Sequence, residues 1–503
     1  MNRLLVLVLL AGSLNAATPL DPAAVAAKAR DWRKAHEGAI VNELTALLAI
    51  PNLASDGPNI ERNAAALVTM LERRGVKARL VREPGVPPLV VGDLAAPGAT
   101  RTIAFYAHYD GQPVDATQWT SPPWTPVLRD ASGKGVEGAN VTAFDPEWRV
   151  YGRSAGDDKG TIIAMVAALD AMQAGGVKPR ANLKFVFEGE EEAGSPNLPR
   201  LLENHASDVH ADAWFLCDGP VHQSRRMQLY FGARGVTDVE LTVYGPVKGL
   251  HSGHYGNWVP NPIVELTHLI DSMRDTEAKI LIKGFYADVA PLSESERKAL
   301  AEIPNVDAAL EKEFGIGRTE GEGRSLNEQI LAPALNLRGI SGGRVGAAAS
   351  NTINTEASAS IDFRLVPNET PESIREKVER HITAQGFFIV RDKPDLATRT
   401  AHPRVIRVVW GPGYPPSRTS MDDPFAKKAT SILTAALGQA PVRMPSLGGS
   451  IPMYLFARGS VPVIGLPIAN HDDNQHAANE NLRLKNLWDG IEVYAALFAC
   501  LSS

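Results

Sequence analysis

Cysteine is scarce, with two in 503 residues: Cys217 inside an apolar run and Cys500 late in the chain. No disulfide framework can hold such a fold, and neither thiol has the setting of a nucleophile. Basic charge is not in excess either, since 51 Lys and Arg face 57 Asp and Glu for a formal charge of −6. No basic patch interleaved with aromatics occurs, and a phosphate-backbone partner is excluded. No stretch is long and apolar enough to span a membrane, and internal repeats and low-complexity tracts are missing as well. What remains is 44% hydrophobic and 21% charged, the balance of a soluble globular protein long enough for more than one domain.

Met1-Asn2-Arg3, the short apolar run 4–11 and the small residues up to Ala17 predict a secretory signal peptide over 1–17, its core too short to span a bilayer. No lipidation cysteine follows that run. The expected product is secreted or periplasmic, with no stable membrane insertion once the signal is removed.

Patterning predicts helices over 22–48, 59–74 and 160–172, and strands over 76–81, 89–91, 102–107, 183–187 and 213–216. Strands alternating with helices imply an α/β fold, a mostly parallel, helix-covered sheet. From about residue 235 the style changes: 236–244 and 354–365 alternate apolar and polar residues like half-exposed antiparallel strands, and 371–383 looks helical. The Gly/Pro-rich stretch 411–416 is a candidate return linker, after which helix 424–437 and the apolar run 461–467 resume the first style. The expected organisation is a discontinuous catalytic domain, 18–234 and 413–503, with an α+β domain, 235–412, inserted in its middle.

The apolar run 183–187 is followed directly by Glu188-Gly189-Glu190-Glu191-Glu192. A solvated acidic loop is the plain account of such a run, but the carboxyl end of a strand is where open α/β sheets bind ligands. Further polar sets occupy similar settings. His108 and Asp110 end the run 103–107, Asp157 and Asp158 precede an apolar-patterned helix, Asp218 ends 214–217, and His471 and His476 come late. Imidazole and carboxylate are divalent-metal donors. Residue chemistry alone leaves Asp157 and Asp158 equivalent, and likewise His471 and His476.

Taken in order, "HYDGQPVD", "GRSAGDDKG", "EGEEEAGS", "CDG", "LHSGHYG" and "QHAANENL" resemble the dinuclear zinc exopeptidases that include carnosinase-type dipeptidases, carboxypeptidase G, aminoacylase and the acetylornithine and succinyl-diaminopimelate deacylases. "HYDGQP", "GRSAGDDKG" and "IDFRLVP" are most similar to the carnosinase-type versions. The resemblance implies two Zn2+ per chain, with Mn2+ or Co2+ as substitutes. It implies that His108 and Asp218 hold one ion, Glu192 and His476 the other, and that Asp157 bridges them. It further implies that Asp110 orients His108 and that Glu191 is the general acid/base.

The same resemblance implies that the inserted domain is a lid that mediates a homodimer, and that His251 reaches the partner subunit's active site. Arg364 would bind the substrate carboxylate, with Asn351 and Ser450 as further substrate contacts. The expected activity is hydrolysis of dipeptides or short peptides with a free carboxylate. The alternatives are an N-acyl-amino-acid amidohydrolase on the same fold, or a non-catalytic binding homologue. With Glu191 and all five implied ligands present, the non-catalytic alternative is the weakest.

Overall fold

The computed structural model describes residues 20–136, 141 and 143–501, so the expected signal peptide lies outside the described residues. The first segment contributes strands β1 (Lys77–Val81), β2 (Leu89–Leu94), β3 (Thr102–His108), β4 (Asn182–Glu188), β5 (Ala213–Leu216) and β6 (Gln228–Tyr230). The insertion contributes β7 (Gly235–Tyr244), β8 (Ala334–Ser341), β9 (Glu356–Leu365), β10 (Phe388–Val390) and β11 (Val405–Tyr414), and the last segment β12 (Val442–Met444) and β13 (Val463–Gly465).

The catalytic sheet has the order β1-β2-β4-β3-β5-β13-β6-β12, with β4, β3, β5 and β13 mutually parallel in its centre. Successive side chains of these strands are buried on opposite faces, which is why the strands read as continuous apolar runs. Phe105, Phe185 and Phe215 face one core, while Tyr106, Val186 and Leu216 face the other. The first face is covered by helices Pro22–Leu48, Lys159–Ala174 and Leu484–Cys500, with Phe498 4.8 Å from Phe105 ring to ring. Helix Leu484–Cys500 has no counterpart among the elements expected from patterning. It is buried on almost every side, so it lacks the polar stripe by which a surface helix is recognised.

The inserted sheet has the order β8-β9-β7-β11-β10. One face, with Val239, Leu241, Ile361 and Phe363, packs on helices Pro262–Asp271 and Pro371–Ala384 through Leu266, Ile374 and Val378. The alternate residues Asp238, Ser360 and Arg364 face the other way and are half-buried.

The chain enters this domain through Gly232–Ala233 and leaves through Ser417–Arg418, and these two short strands pair with each other. Gly235 lies so close to the return path that a Cβ on it would fall 2.6 Å from the Tyr414 carbonyl and the Pro416 nitrogen. The expected boundary at 412 falls inside β11, which runs on to Tyr414, so the stretch 411–416 is strand in its first part. Trp410 pairs with Val239 and Gly413 with Thr237 around a bulge, and such an irregularity accommodates Pro412 within a ladder.

Candidate metal centre

Because β4, β3 and β5 are adjacent and parallel, their carboxyl ends lie side by side, the setting in which open sheets place ligands. His108 ends β3 opposite Glu188 of β4. Beyond Glu188 the chain turns through a short 3-10 segment holding Glu191 and Glu192, and Asp218 follows β5. Asp157 comes from the loop before helix Lys159–Ala174, and its peptide bond to Asp158 is cis. His476 comes from a loop that ends in Asn481–Arg483, which pairs with Arg149–Tyr151 at the start of the Asp157 loop.

His108 Nε2 lies 2.7 Å from Asp157 Oδ1, and Asp157 Oδ2 lies 3.2 Å from His476 Nε2. The Asp157 carboxylate thus faces both histidines with different oxygens. His476, turned inward by a left-handed φ of 60°, is also 3.2 Å from Glu192 Oε2. Donor atoms of His108, Asp157 and Glu192 all lie within 4.8 Å of one another, as do those of His108, Glu191 and Asp218. All six expected metal and proton-transfer residues therefore converge on one locus.

Asp110 is fully buried and serves two elements. Its Oδ1 is 3.3 Å from His108 Nδ1, directing the other ring nitrogen at the cluster, and its two oxygens accept the Glu191 and Glu192 amides at 3.1 Å each. It fixes the imidazole and the carboxylate turn together.

The charges point to a cation. Burial, then the charges of Asp218, Asp157 and Glu192, push the Glu191 carboxyl well above its usual range, and burial with Asp157 and Glu192 pushes Asp218 up to about 7. Hydrogen bonds to Asp157 and Glu192 raise His476 to about 10, the response of an imidazole that faces two carboxylates. Burial alone would lower the His108 pKa, but Asp157 and Asp110 outweigh it and raise it well above the ordinary value. Buried Glu192 Oε1 and Asp218 Oδ1 have no hydrogen-bond partner. Buried oxygens without partners, beside two imidazoles and a carboxylate facing both, fit a pair of divalent ions with nitrogen and oxygen ligands.

Geometry separates the remaining candidates. Asp158 turns back to accept the His108 amide at 3.3 Å, and its side chain makes no helix cap. His471 lies among Asp472, Arg483 and Arg225, away from the cluster. Glu188 and Glu190 are buried, where a solvated loop was the plain expectation. Glu188 accepts the Tyr106 hydroxyl at 2.6 Å, and Glu190 accepts the Asn197 amide and side chain.

Residue reasoning missed three supports. Gln112 Nε2 donates to Glu192 Oε2 at 2.8 Å, and Gln475 Nε2 to Asp157 Oδ2 at 2.7 Å. Glu480 is fully buried: it accepts the Ser154, Gly156 and Asp157 amides and pairs with Arg153 at 2.6 Å. Each lies within a motif segment, which is the signal that could have found it.

On the lid side, Arg364 Nη1 donates to Ser450 Oγ at 2.9 Å across the domain junction, while Arg364 Nε pairs with Asp362 at 3.1 Å. His251 and Asn351 are exposed, His251 on a two-stranded ribbon, Leu250–His251 with Thr352–Ile353, and Asn351 just before its second strand, and His251 Nδ1 accepts the Gly253 amide. Within one chain, among the described residues, neither touches the cluster.

The sequence matches the family described as Peptidase family M20/M25/M40 over residues 104–499. Among curated relatives, Cys-Gly metallodipeptidase dug1 of Schizosaccharomyces pombe is 28% identical over 483 residues, 92% of this chain and 95% of its own. Beta-Ala-His dipeptidase of Homo sapiens is 27% identical over 423 residues, 82% of this chain and 77% of its own. Among solved structures, the M20 family metallo-carboxypeptidase Sso-CP2 of Sulfolobus solfataricus superposes with TM-score 0.74 at 27% identity, covering 92% of this chain and 98% of that one. Human carnosine dipeptidase 1 superposes with TM-score 0.71 at 24% identity over 96% and 99%, a likeness of fold.

Proposed function

The chain belongs to peptidase family M20/M25/M40, and from that premise we propose that it is a dinuclear zinc dipeptidase acting on dipeptides or short peptides with a free carboxylate. The observation that carries this reading is the convergence of His108, Asp157, Glu191, Glu192, Asp218 and His476 on one locus holding unpartnered carboxylate oxygens. His108 and Asp218 would hold one ion, Glu192 and His476 the other, with Asp157 shared. When bound, the ions supply Lewis acidity and lower the pKa of a water.

The chain's own residues do the rest. Glu191, in reach of that locus and not needed as a ligand, takes the proton of the attacking water and returns it to the leaving amine. Asp110 keeps His108 and the Glu191 turn in register with each other. Arg364, held by Ser450 at the domain junction, offers its guanidinium N–H groups to a substrate carboxylate.

Homodimerisation belongs to the same proposal. It is supported by the edge position of β8, with Leu337 and Ile340 exposed on it, and by the exposure of His251 and Asn351, which leaves them open to act on the partner subunit. Export is proposed from residues 1–17 alone. A mature N-terminus found by mass spectrometry near Thr18 in a secreting host supports it, and an intact Met1 refutes it.

The test of activity is hydrolysis of Ala-Ala, carnosine and N-acetyl amino acids by protein loaded with zinc, manganese or cobalt. Cleavage of the dipeptides with little turnover of the N-acetyl substrates supports the reading. The reverse order makes the chain an N-acyl-amino-acid amidohydrolase, and no turnover of either class with two ions bound removes the hydrolytic reading.

A further inference from the structure

Arg364 and Tyr414 both flank Val236 in the inserted sheet, Arg364 from β9 and Tyr414 from β11. Residues directly opposite in antiparallel ladders share a face, so Arg364, Val236 and Tyr414 form one row. Strands are spaced about 4.8 Å apart, which puts Tyr414 about 10 Å from Arg364 along it. All three are half-buried on the face of the sheet that its own helices leave uncovered.

This row meets the catalytic domain at the loop 448–452. Ser450 receives the Arg364 hydrogen bond, and Tyr454, on the helix just beyond it, stacks on Tyr414 with ring centroids 5.2 Å apart and planes 11° from parallel. The Tyr414 phenol is pushed up to about 12, chiefly by burial, with the Arg364 and Glu191 charges and the Ser450 hydroxyl also acting on it. Tyr414 therefore lies in electrostatic reach of both the carboxylate anchor and the proton carrier, the two groups between which a bound dipeptide's last residue must sit.

We propose that the stacked Tyr414 and Tyr454 rings form the wall against which the side chain of the substrate's C-terminal residue packs, so that the enzyme selects dipeptides ending in an aromatic or bulky apolar residue. The inference rests on the dipeptidase reading, because it takes the Arg364–Ser450 pair as the carboxylate anchor. A side chain branching one carbon from that carboxylate reaches several ångströms along the row, toward the rings. Glycine leaves the wall uncovered, whereas phenylalanine or leucine removes apolar surface from water on both partners. Packing of the two domains at their junction is the competing account of the stack.

The test compares kcat/KM for Ala-Phe, Ala-Leu and Ala-Gly in the metal-loaded wild type, Tyr414→Ala, Tyr454→Ala and Tyr414→Phe. The wild type is expected to favour Ala-Phe over Ala-Gly by roughly 10-fold or more, the return on burying a large apolar side chain. Either alanine variant is expected to collapse that ratio to near unity, and Tyr414→Phe to retain it. A ratio unchanged in both alanine variants, with all substrates slowed alike, assigns the stack to domain packing and overturns the inference. If no dipeptide is cleaved, the dipeptidase reading fails separately, and calorimetric binding of free phenylalanine and glycine still decides. Tighter phenylalanine binding that Tyr414→Ala abolishes supports the wall, and equal binding of the two overturns it.

Discussion

The proposed mechanism gives adjacent Glu191 and Glu192 different work, and the turn after β4 sets Glu192 Oε2 3.2 Å from His476. Replacing Glu191 by Gln keeps its size and removes its proton chemistry, so kcat is expected to fall ~10²–10⁴-fold while metal content per chain stays at the wild-type value. Steady-state kinetics beside metal analysis checks this, and parallel loss of both would make Glu191 a ligand. Glu480 acts one layer further out. Glu480→Gln leaves the buried Arg153 without its counter-charge and loosens the loop that aims Asp157, so metal affinity is expected to fall ~10–100-fold in chelator competition, the usual effect of removing such a support. His108 and Asp218 were legible in the sequence because each follows an apolar run, whereas Asp157 and His476 were singled out only through the family resemblance. Glu480, Gln112 and Gln475 were not legible, because their roles lie in hydrogen bonds to residues that are remote in sequence or set by a turn, and no spacing encodes those.

At the scale of elements, the central strands were legible because two buried faces give unbroken apolar runs, and the inserted strands because one face is wet and the residues alternate. Helix Leu484–Cys500 escaped for the opposite reason, having no wet face to set its period. The inserted domain also contains a buried acid, Glu369, whose Oε2 accepts the Val366 amide at 2.9 Å while its Oε1 has no hydrogen-bond partner, and which burial pushes up to about 7. Below pH 4.5 the group is neutral in folded and unfolded chains alike. Between there and about 7 only the unfolded chain releases the proton, so stability falls as pH rises, by on the order of 3 kcal/mol in all. Glu369→Gln should therefore flatten the urea midpoint between pH 5 and 8, and a variant curve parallel to the wild type would disprove the assignment.

For the whole molecule, the discontinuous architecture and the position of the inserted domain were readable from the change in strand style near residue 235, but the pairing of the two connections was not, since a two-residue ladder leaves no pattern. Metal should hold the assembly together. Because the carboxyl groups of Glu191, Glu192, Asp157 and Asp218 crowd one locus, zinc at 100 times its dissociation constant is expected to stabilise the fold by about 2.7 kcal/mol, raising Tm, with excess chelator reversing the shift. A Tm indifferent to zinc would mean the cluster is not a metal site. If β8 pairs subunits, Ile340→Lys should yield monomers in sedimentation and lose activity with them, because His251 would no longer reach a second cluster. The ladder of Gly232–Ala233 with Ser417–Arg418 has one more consequence. Since the polypeptide departs from and rejoins the catalytic domain at neighbouring points, cutting out 235–414 would leave two ends already side by side, and the remainder needs no rethreading to be rejoined.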